Sequence, residues 1–363
     1  MRPRPRPWTA PALALLVTAA AVLPALPFRT GGPAEPAAAA GRGGTPHTEA
    51  RHVVLAVHGG AGTALRRQDT DARTEKAYRD GLADALRAGQ KILRGGGDSV
   101  AAVEAAVRVL EDDPLFNAGR GAVFTEDAGH ELDASIMRGS DLAAGAVAGV
   151  RHVRNPVSAA RLVMERTRHV MLAGEAADAF AARSGLTPVT QDYFWTQKRW
   201  DELMKAKNPR TTAAARDGSM TGTVGAVALD GRRGLAAATS TGGTTNKMAG
   251  RVGDSPVVGA GTYAKDGNVA VSATGQGEVF IRGAATATIS HLVEFGGMDV
   301  AAAAHEVVMG RLPKLGGTGG VIALDAQGTY AAPHSSEGML HGYATADGRI
   351  VTRVFPDEAA GRR

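Results

Sequence analysis

The chain contains no cysteine and only 4% aromatic residues, although it is 363 residues long. The absence of cysteine excludes disulfide bonds, thiolate catalysis and cysteine-ligated zinc. Because aromatic rings are few, the core must consist of Ala, Val and Leu packed against a backbone that contains 48 glycines. This length and a hydrophobic content of 44% allow a large buried core. The composition favours a layered α/β protein over a coiled coil or a disordered chain.

The net charge of +5 is concentrated at the N-terminus. Residues 1–51 hold six arginines against two glutamates, a net charge of +4, so the remaining residues carry about +1. A nucleic-acid-binding protein needs a positively charged surface on its folded part. We therefore expect no nucleic-acid partner.

The first 40 residues have the layout of a secretory signal peptide followed by a tether. Arg2, Arg4 and Arg6 precede an apolar run over residues 12–26, and small residues follow at 37–40. The run contains Pro24 and is short for a membrane span. We predict export, to the periplasm or the medium, a flexible segment over residues 41–52, and no membrane association once the signal is removed. The sequence does not define the cleavage position.

Hydrophobic periodicity in the rest of the chain predicts a four-layer αββα sandwich, with two half-sheets inside and helices outside. A buried strand at 53–57 leads into a predicted tight turn at 58–60, and a polar segment at 205–222 is predicted to be a mobile linker. The remaining predicted strands are 132–137, 144–150, 223–229, 234–239, 257–263 and 269–273. The predicted helices are 74–93, 99–110, 156–165, 173–182, 278–295 and 299–310.

Common catalytic motifs are missing. The sequence contains no GxxxxGK[ST] and no complete dinucleotide fingerprint, which argues against nucleotide binding. It has no GxSxG or SxxK, which weakens a serine hydrolase. His305-Glu306 lacks a second histidine four residues later, so it does not form a zinc protease helix.

Polar residues instead gather at predicted strand ends between residues 223 and 277. One strand begins at Gly222-Thr223, another ends in TSTGG at 239–243, and a third ends in TGQG at 274–277, with GRVGDSP at 250–256 between them. Strand ends beside glycines bring side chains and backbone N–H groups to a ligand. Taken singly, each of these is a common turn residue, so the indication comes from the combination.

Together with Asn246-Lys247, GAGTYA at 259–264 and the run GTVGAVALD at 222–230, these segments resemble the plant-type asparaginase and isoaspartyl peptidase family. HGGAG at 58–62, PLFNAGRGAVF at 114–124 and KLGGTGG at 314–320 resemble the same family, so the resemblance extends over residues 53–355. It implies the N-terminal nucleophile αββα fold. It also implies a chain that cuts itself into an α part, 53–222, and a β part, 223–363.

The resemblance assigns Thr223 as the nucleophile and the Gly222–Thr223 bond as the cut. A threonine hydroxyl needs a base, and a freed α-amine with a pKa of about 7.7–8.0 can serve as one. Gly222 lacks a Cβ, so the scissile peptide can adopt a strained conformation. Thr241 is expected to bond Thr223 and steer its amine.

The same resemblance assigns the substrate contacts. Arg251 would clamp an α-carboxylate, Asp254 would accept from an α-ammonium, and the Thr274 hydroxyl with the Gly275 N–H would form the oxyanion hole. Asn117 matches a position near the active site and is assigned to substrate binding. These roles imply hydrolysis of the β-amide of L-asparagine and of β-aspartyl dipeptides, which the sequence cannot rank because both present the same head group.

Further expectations concern ions and assembly. The resemblance implies no catalytic cofactor, a dimer of αβ heterodimers, and a structural sodium ion held by backbone carbonyls of Leu110, Glu111, Asp113, Phe116, Ala118 and Arg120. Two alternatives stay open here. One is glycosylasparaginase, which shares the fold and the cut, and the other is an exported amino-acid-binding protein with an inactive site.

Overall fold

Two β-sheets lie face to face between outer layers of helices. The computed structural model describes residues 46–62, 65, 67–208 and 222–358. The predicted signal peptide and residues 209–221 of the predicted linker lie outside these ranges. No helix in the described ranges combines the length and the hydropathy needed to cross a bilayer.

The larger sheet has eight strands in the order β12-β11-β1-β5-β6-β2-β3-β4, and the smaller has four in the order β10-β9-β8-β7. Neighbours pair antiparallel except β3 and β4. The strands are β1 Val53–Ala61, β2 Leu132–Arg138, β3 Ala144–Val150, β4 Met171–Ala173, β5 Val224–Leu229, β6 Leu235–Thr241, β7 Thr262–Ala264, β8 Val269–Gly275, β9 Gly319–Asp325, β10 Tyr330–Ala331, β11 Met339–Thr345 and β12 Ile350–Arg353.

The helices divide between the two outer faces. The helices are α1 Ala72–Arg94, α2 Ser99–Asp112, α3 Pro156–Arg166, α4 Gly174–Arg183, α5 Gln197–Lys207, α6 Gly277–Gly283, α7 Ala285–Glu294 and α8 Val300–His305. One apolar cluster packs helices α1, α2, α3 and α4 against the large sheet. A second cluster fills the space between the sheets, and a third packs α6, α7 and α8 against the small sheet. The predicted αββα order of layers is confirmed.

Local sequence signals explain the well-predicted helix starts. Asp71 caps α1, accepting from the Thr74 N–H at 2.8 Å, and Asp98 caps α2, accepting from the Ala101 N–H at 2.7 Å. The predicted apolar stripe of α2, which includes Val100 and Leu110, is buried against the large sheet. Propensity, capping and burial agree here.

The layer between the sheets is apolar at one end and polar at the other. Val227 and Leu229 of β5, with Leu235 and Ala237 of β6, lie in the apolar cluster. Successive residues of a strand point to opposite faces, so the same face continues to the other end of each strand. There it carries the buried residues Thr223, Thr239, Thr241, Ser272 and Thr274, which we call the polar end of the inter-sheet layer.

Several predicted boundaries were wrong. β1 does not turn at residues 58–60 but continues to Ala61, with a bulge between His58 and Gly60. The predicted strand 257–263 shortens to Thr262–Ala264, because residues 254–261 form turns closed by bonds such as Val257 N–H to Asp254 O at 2.8 Å. The predicted linker starts later than residue 205, since α5 extends to Lys207.

The two predicted C-terminal helices are each divided. Ala284 takes the left-handed conformation, with φ 42°, and separates α6 from α7. Such a conformation costs an alanine about 1–2 kcal/mol, and burial of Ala285 and Ile289 in the outer core accompanies the change of direction. The second predicted helix passes from α8 into a π-helical turn over Glu306–Arg311.

Candidate active site

Thr223 lies at the head of β5, in the middle of the large sheet. It is 7% exposed, and its Oγ1 donates to Oγ1 of Thr241 at 3.0 Å. Val224 pairs with Ser240, which brings Thr223 beside the end of β6. Thr241 Oγ1 also accepts from the Gly243 N–H at 3.0 Å. The TSTGG turn therefore fixes the hydroxyl that Thr223 contacts.

Thr274 contacts the backbone nitrogen of Thr223. Its Oγ1 accepts from the Thr223 N–H at 3.2 Å and from the Ala61 N–H at 3.1 Å. A hydroxyl has two lone pairs and one proton, so two accepted bonds leave the proton for a third group. Gly275 follows with φ 148°. The role of this pair as an oxyanion hole stays a prediction, and the predicted bond between Thr241 and Thr223 is present as a contact between the two hydroxyls.

Gly222 approaches Gly60 so closely that neither position has room for a side chain. A Cβ at residue 222 would lie 2.1 Å from the Gly60 Cα, and a Cβ at residue 60 would lie 2.6 Å from the Gly222 Cα. Gly60 also has φ 122°, which disfavours other residues. Gly60 of the HGGAG segment therefore fixes the position of Gly222 by direct backbone packing.

His58 is a site residue to which the sequence assigned no role. It is wholly buried, with Nδ1 2.9 Å from the Thr223 carbonyl oxygen and Nε2 2.9 Å from Ser272 Oγ. Burial lowers the pKa of His58 to about 3, so the imidazole is neutral. Because a carbonyl oxygen only accepts, the proton lies on Nδ1, and Nε2 accepts from Ser272.

Beyond Ser272 a chain of buried hydroxyls crosses the polar end. Oγ1 of Thr239 lies 2.7 Å from Ser272 Oγ, Oγ1 of Thr262 follows at 2.5 Å, and Oγ of Ser135 follows at 2.8 Å and reaches the Ser255 carbonyl oxygen at 2.5 Å. From the Thr223 carbonyl to that of Ser255 there are six contacts. Four hydroxyls and a neutral imidazole supply five protons, so one contact always lacks a proton.

Arg251 and Asp254 form a charged region beside this chain. The Arg251 side chain is 17% exposed, and its Nε and Nη2 donate to Glu278 Oε1 at 3.0 and 2.9 Å. Asp254 is buried, and its Oδ2 has no hydrogen-bond partner among the described residues. Burial raises the pKa of Asp254 to about 7, although the charge of Arg251 opposes the shift. A buried carboxylate oxygen without a donor fits an ammonium group.

Gly277 leaves space between the two charges. A Cβ on Gly277 would lie 2.9 Å from Asp254 Oδ1 and 3.1 Å from Arg251 Nη2. The carboxylate and the guanidinium are therefore within about 6 Å of each other, a separation that the ammonium and carboxylate of one amino acid can bridge. The two predicted head-group residues are brought together.

Asn117 and Lys247 hold the loop that follows Thr241. Asn117 Nδ2 donates to the Gly243 carbonyl at 2.7 Å, and its Oδ1 accepts from the Val123 N–H at 3.0 Å. Lys247 is buried and donates to the Glu131 carbonyl at 2.8 Å. A direct contact from Asn117 to substrate stays a prediction.

In the loop predicted to bind sodium, two glycines lie directly against backbone carbonyl oxygens. A Cβ on Gly119 would lie 2.2 Å from the Glu111 carbonyl oxygen, and a Cβ on Gly121 would lie 2.0 Å from that of Phe116. The backbone can therefore fold over these oxygens only because both residues are glycine. This glycine cradle is compatible with an oxygen site for a hard cation, and the sodium ion stays a prediction.

A hydroxyl at a strand head, two hydroxyls placed around it and a glycine immediately before it define an N-terminal nucleophile hydrolase of the αββα class. The chain matches the model of the asparaginase family over residues 51–353, and it belongs to that family.

Curated relatives cover most of the chain. An isoaspartyl peptidase of Escherichia coli is 49% identical over 311 residues, which are 84% of this chain and 97% of the relative. An isoaspartyl peptidase/L-asparaginase of Mus musculus is 44% identical over 79% of this chain and 86% of the relative. The human protein of that name is 40% identical over 84% of this chain and 97% of its own length.

Proposed function

We propose that this protein cuts itself between Gly222 and Thr223 and then hydrolyses the β-amide of L-asparagine and of β-aspartyl dipeptides. The observation that carries the proposal is the placement of Thr223. Its hydroxyl lies 3.0 Å from Thr241 Oγ1, and its backbone nitrogen lies 3.2 Å from Thr274 Oγ1. One residue thus has its nucleophile and its future amine both fixed by neighbouring hydroxyls.

In self-cleavage, the Thr223 oxygen adds to the carbonyl carbon of Gly222, and the C–N bond breaks as the nitrogen takes the proton that the hydroxyl releases. The resulting ester is hydrolysed by water, which leaves a carboxylate on Gly222 and a free amine on Thr223. Close packing of Gly222 on Gly60 restricts the position of the scissile peptide. His58 holds the carbonyl on the other side of Thr223.

In substrate hydrolysis, the new amine takes the proton of the Thr223 hydroxyl while the oxygen attacks the β-carbonyl carbon. The Thr274 hydroxyl and the Gly275 N–H stabilise the oxyanion. The leaving amine takes the proton as its bond to carbon breaks, and water then hydrolyses the aspartyl ester. Arg251 and Asp254 bind the α-carboxylate and α-ammonium.

The central test separates the cut from the chemistry. Residues 53–222 are co-expressed with a second chain beginning at residue 223, after removal of an initiating residue. With threonine first, asparagine should be hydrolysed although no cut has occurred. With alanine first, a folded assembly should form without activity, and turnover by the alanine assembly near that of threonine would refute Thr223 as the nucleophile.

A second test uses the single chain. A denaturing gel should show two fragments, with the smaller beginning at Thr223 on N-terminal sequencing. Thr223→Ala should stay as one inactive chain, and Thr223→Ser should keep some cutting and some turnover. An intact and fully active wild-type chain would refute self-processing.

The names of the relatives favour the asparaginase branch over glycosylasparaginase. A matured sample should release ammonia from asparagine and aspartate from a β-aspartyl dipeptide. Release of glycan from a glycosylated asparagine at a comparable kcat/KM would reverse this assignment.

Three further expectations belong to the proposal. The matured protein would be a dimer of αβ heterodimers, exported through its N-terminal segment, with a sodium ion held by carbonyls of the loop after α2. The glycine cradle over the Glu111 and Phe116 carbonyls supports the ion. Mass measurement, localisation of the processed protein and thermal unfolding with sodium or potassium check them in turn.

A further inference from the structure

The contact between Arg251 and Glu278 is not explained by the reaction itself. Glu278 is the second residue of α6 and lies four residues after Thr274. Both Nε and Nη2 of Arg251 donate to a single oxygen, Oε1 of Glu278. Both bonds leave the second carboxylate oxygen of Glu278 unused by Arg251, and the Glu278 side chain is 63% exposed.

Glu278 thereby occupies the Nε/Nη2 edge of the guanidinium and leaves the Nη1/Nη2 edge for a ligand. A guanidinium has five N–H donors in a rigid plane, and Glu278 takes one on Nε and one on Nη2. The other Nη2 proton and one Nη1 proton lie on the adjacent Nη1/Nη2 edge, and the second Nη1 proton points toward the Cδ side. That edge is the bidentate fork that suits a second carboxylate.

Glycines flank the guanidinium. A Cβ on Gly253 would lie 3.0 Å from Arg251 Nη1, and a Cβ on Gly277 would lie 3.1 Å from Nη2. Neither position therefore supplies a side chain that could hold the guanidinium in one orientation. The ion pair with Glu278 supplies the restraint that the glycines do not.

We propose that Glu278 is a positioning residue for substrate binding. It holds the Nε/Nη2 edge of Arg251 from the solvent side, so that the Nη1/Nη2 edge faces the gap beside Asp254 and receives the substrate α-carboxylate. This inference rests on the proposed function, since it requires Arg251 to bind that carboxylate. Partial burial raises the pKa of Glu278, but a backbone hydrogen bond together with the charge and hydrogen bonds of Arg251 outweighs it and lowers the pKa, so the carboxylate stays ionised near neutral pH.

The position of Glu278 also allows it to hinder substrate binding instead of supporting it. A carboxylate on Arg251 could compete with the substrate, and its removal would then tighten binding. The single-oxygen contact on one edge favours orientation, because a competing carboxylate would occupy the fork that the substrate needs. The sign of the KM change therefore separates the two roles.

The test compares Glu278→Ala, Glu278→Gln and Glu306→Ala in matured protein. Glu306 is an exposed glutamate paired with Arg311 at 3.2 Å in the π-helical turn and controls for loss of a surface charge. Since Glu278 is largely exposed, Glu278→Ala should raise KM for asparagine by only about two- to fivefold, with kcat nearly unchanged. Glu278→Gln keeps an acceptor oxygen and should raise KM less. Glu306→Ala should match wild type.

The product aspartate and its analogue β-alanine sharpen the result. Aspartate carries the α-carboxylate and β-alanine lacks it, so Glu278→Ala should weaken inhibition by aspartate and leave inhibition by β-alanine unchanged. An unchanged or lower KM in Glu278→Ala, or equal weakening of both inhibitors, would overturn the proposal.

Arg251→Lys distinguishes this failure from failure of the proposed function. If Arg251→Lys raises KM strongly while Glu278→Ala does not, only the role of Glu278 is wrong. If neither variant changes KM, Arg251 does not bind the α-carboxylate, and the proposed head-group recognition fails with it.

Discussion

The nucleophile region and the head-group region lie side by side but are built from different groups. Around Thr223 the described contacts come from hydroxyls, backbone groups and a neutral histidine. Around Arg251 they come from ionisable carboxyl groups and a guanidinium. Salt and pH act directly on charges, whereas a hydroxyl network responds to the position of atoms. In the proposed reaction, Thr223 and Thr274 act on the reacting atoms, whereas Arg251 and Asp254 bind the head group. Changes in the first region should therefore alter kcat, and changes in the second should alter KM.

The largest effect should come from Gly222→Ala, before either region acts on substrate. The added methyl would lie 2.1 Å from the Gly60 Cα, so the scissile peptide cannot keep its place. We expect loss of self-cleavage and of all activity, read on a denaturing gel. Gly231→Ala is the matched control, because a Cβ there meets nothing within 4 Å. A normally cut Gly222→Ala chain would show that this packing is unimportant.

Thr274→Val tests the nucleophile region in a pre-cut assembly. Valine keeps the shape but removes the proposed oxyanion donor and the acceptor for two N–H groups. We expect kcat to fall by about 10²–10³ with a small change in KM. A loss confined to KM would contradict the division between the two regions.

Arg251→Lys tests the head-group region. Lysine keeps the charge but loses the planar fork, and bonds to charged groups contribute about 1.5–3 kcal/mol. We expect kcat/KM for asparagine to fall by about tenfold or more, mainly through KM, with self-cleavage intact. Steady-state kinetics on matured protein measures it, and unchanged kinetics would remove Arg251 from carboxylate binding.

The pH dependence of kcat/KM should report both regions. Burial raises the pKa of Asp254 to about 7, so its carboxylate is lost as pH falls below 7. The freed amine of Thr223, with an ordinary pKa of about 7.7–8.0, also becomes protonated. Below both pKa values, each protonation lowers kcat/KM about tenfold per pH unit, so together they should lower it about a hundredfold. Asp254→Asn removes one of the two groups and should reduce the slope to about tenfold per pH unit. An unaltered slope in Asp254→Asn would exclude its titration.

Ser272→Ala should have the smallest effect. It removes the hydroxyl that donates to Nε2 of His58 and leaves a buried nitrogen unpaired, at a cost of about 1–3 kcal/mol of stability. We expect lower thermal stability and a reduction in kcat of only a few-fold, because Thr223 keeps its own two contacts. An intact kcat would show that the hydroxyl chain serves stability alone.

The sequence predicted the order of layers because each element carries a local signal. Asp71 and Asp98 mark helix starts, and the alternation in β5, β6 and β8 separates the outer core from the inter-sheet face. The same alternation placed Thr239 with Thr241 and Ser272 with Thr274 on one side of their strands, so the hydroxyl cluster could have been found in this way.

The rest depends on contacts between distant parts of the chain. His58 meets Thr223, 165 residues away, and Gly60 meets Gly222 only after β1 has paired with β5. No periodicity in a single segment encodes such contacts. The break at Ala284 was likewise missed, because the favourable packing of α7 outweighs a local preference for one continuous helix.

Strand order has a consequence for the two fragments after the cut. β1 lies between β11 and β5, and β6 pairs with β2, so strands from before and after residue 223 interleave in one sheet. Neither fragment can leave without breaking ladders on both sides of β1 and between β6 and β2. The fragments should therefore melt in a single cooperative transition, and the first fragment made alone would expose both edges of β1 and aggregate. Cleavage between Gly222 and Thr223 would therefore create a new N-terminal amine while both fragments stay in the same folded sheet.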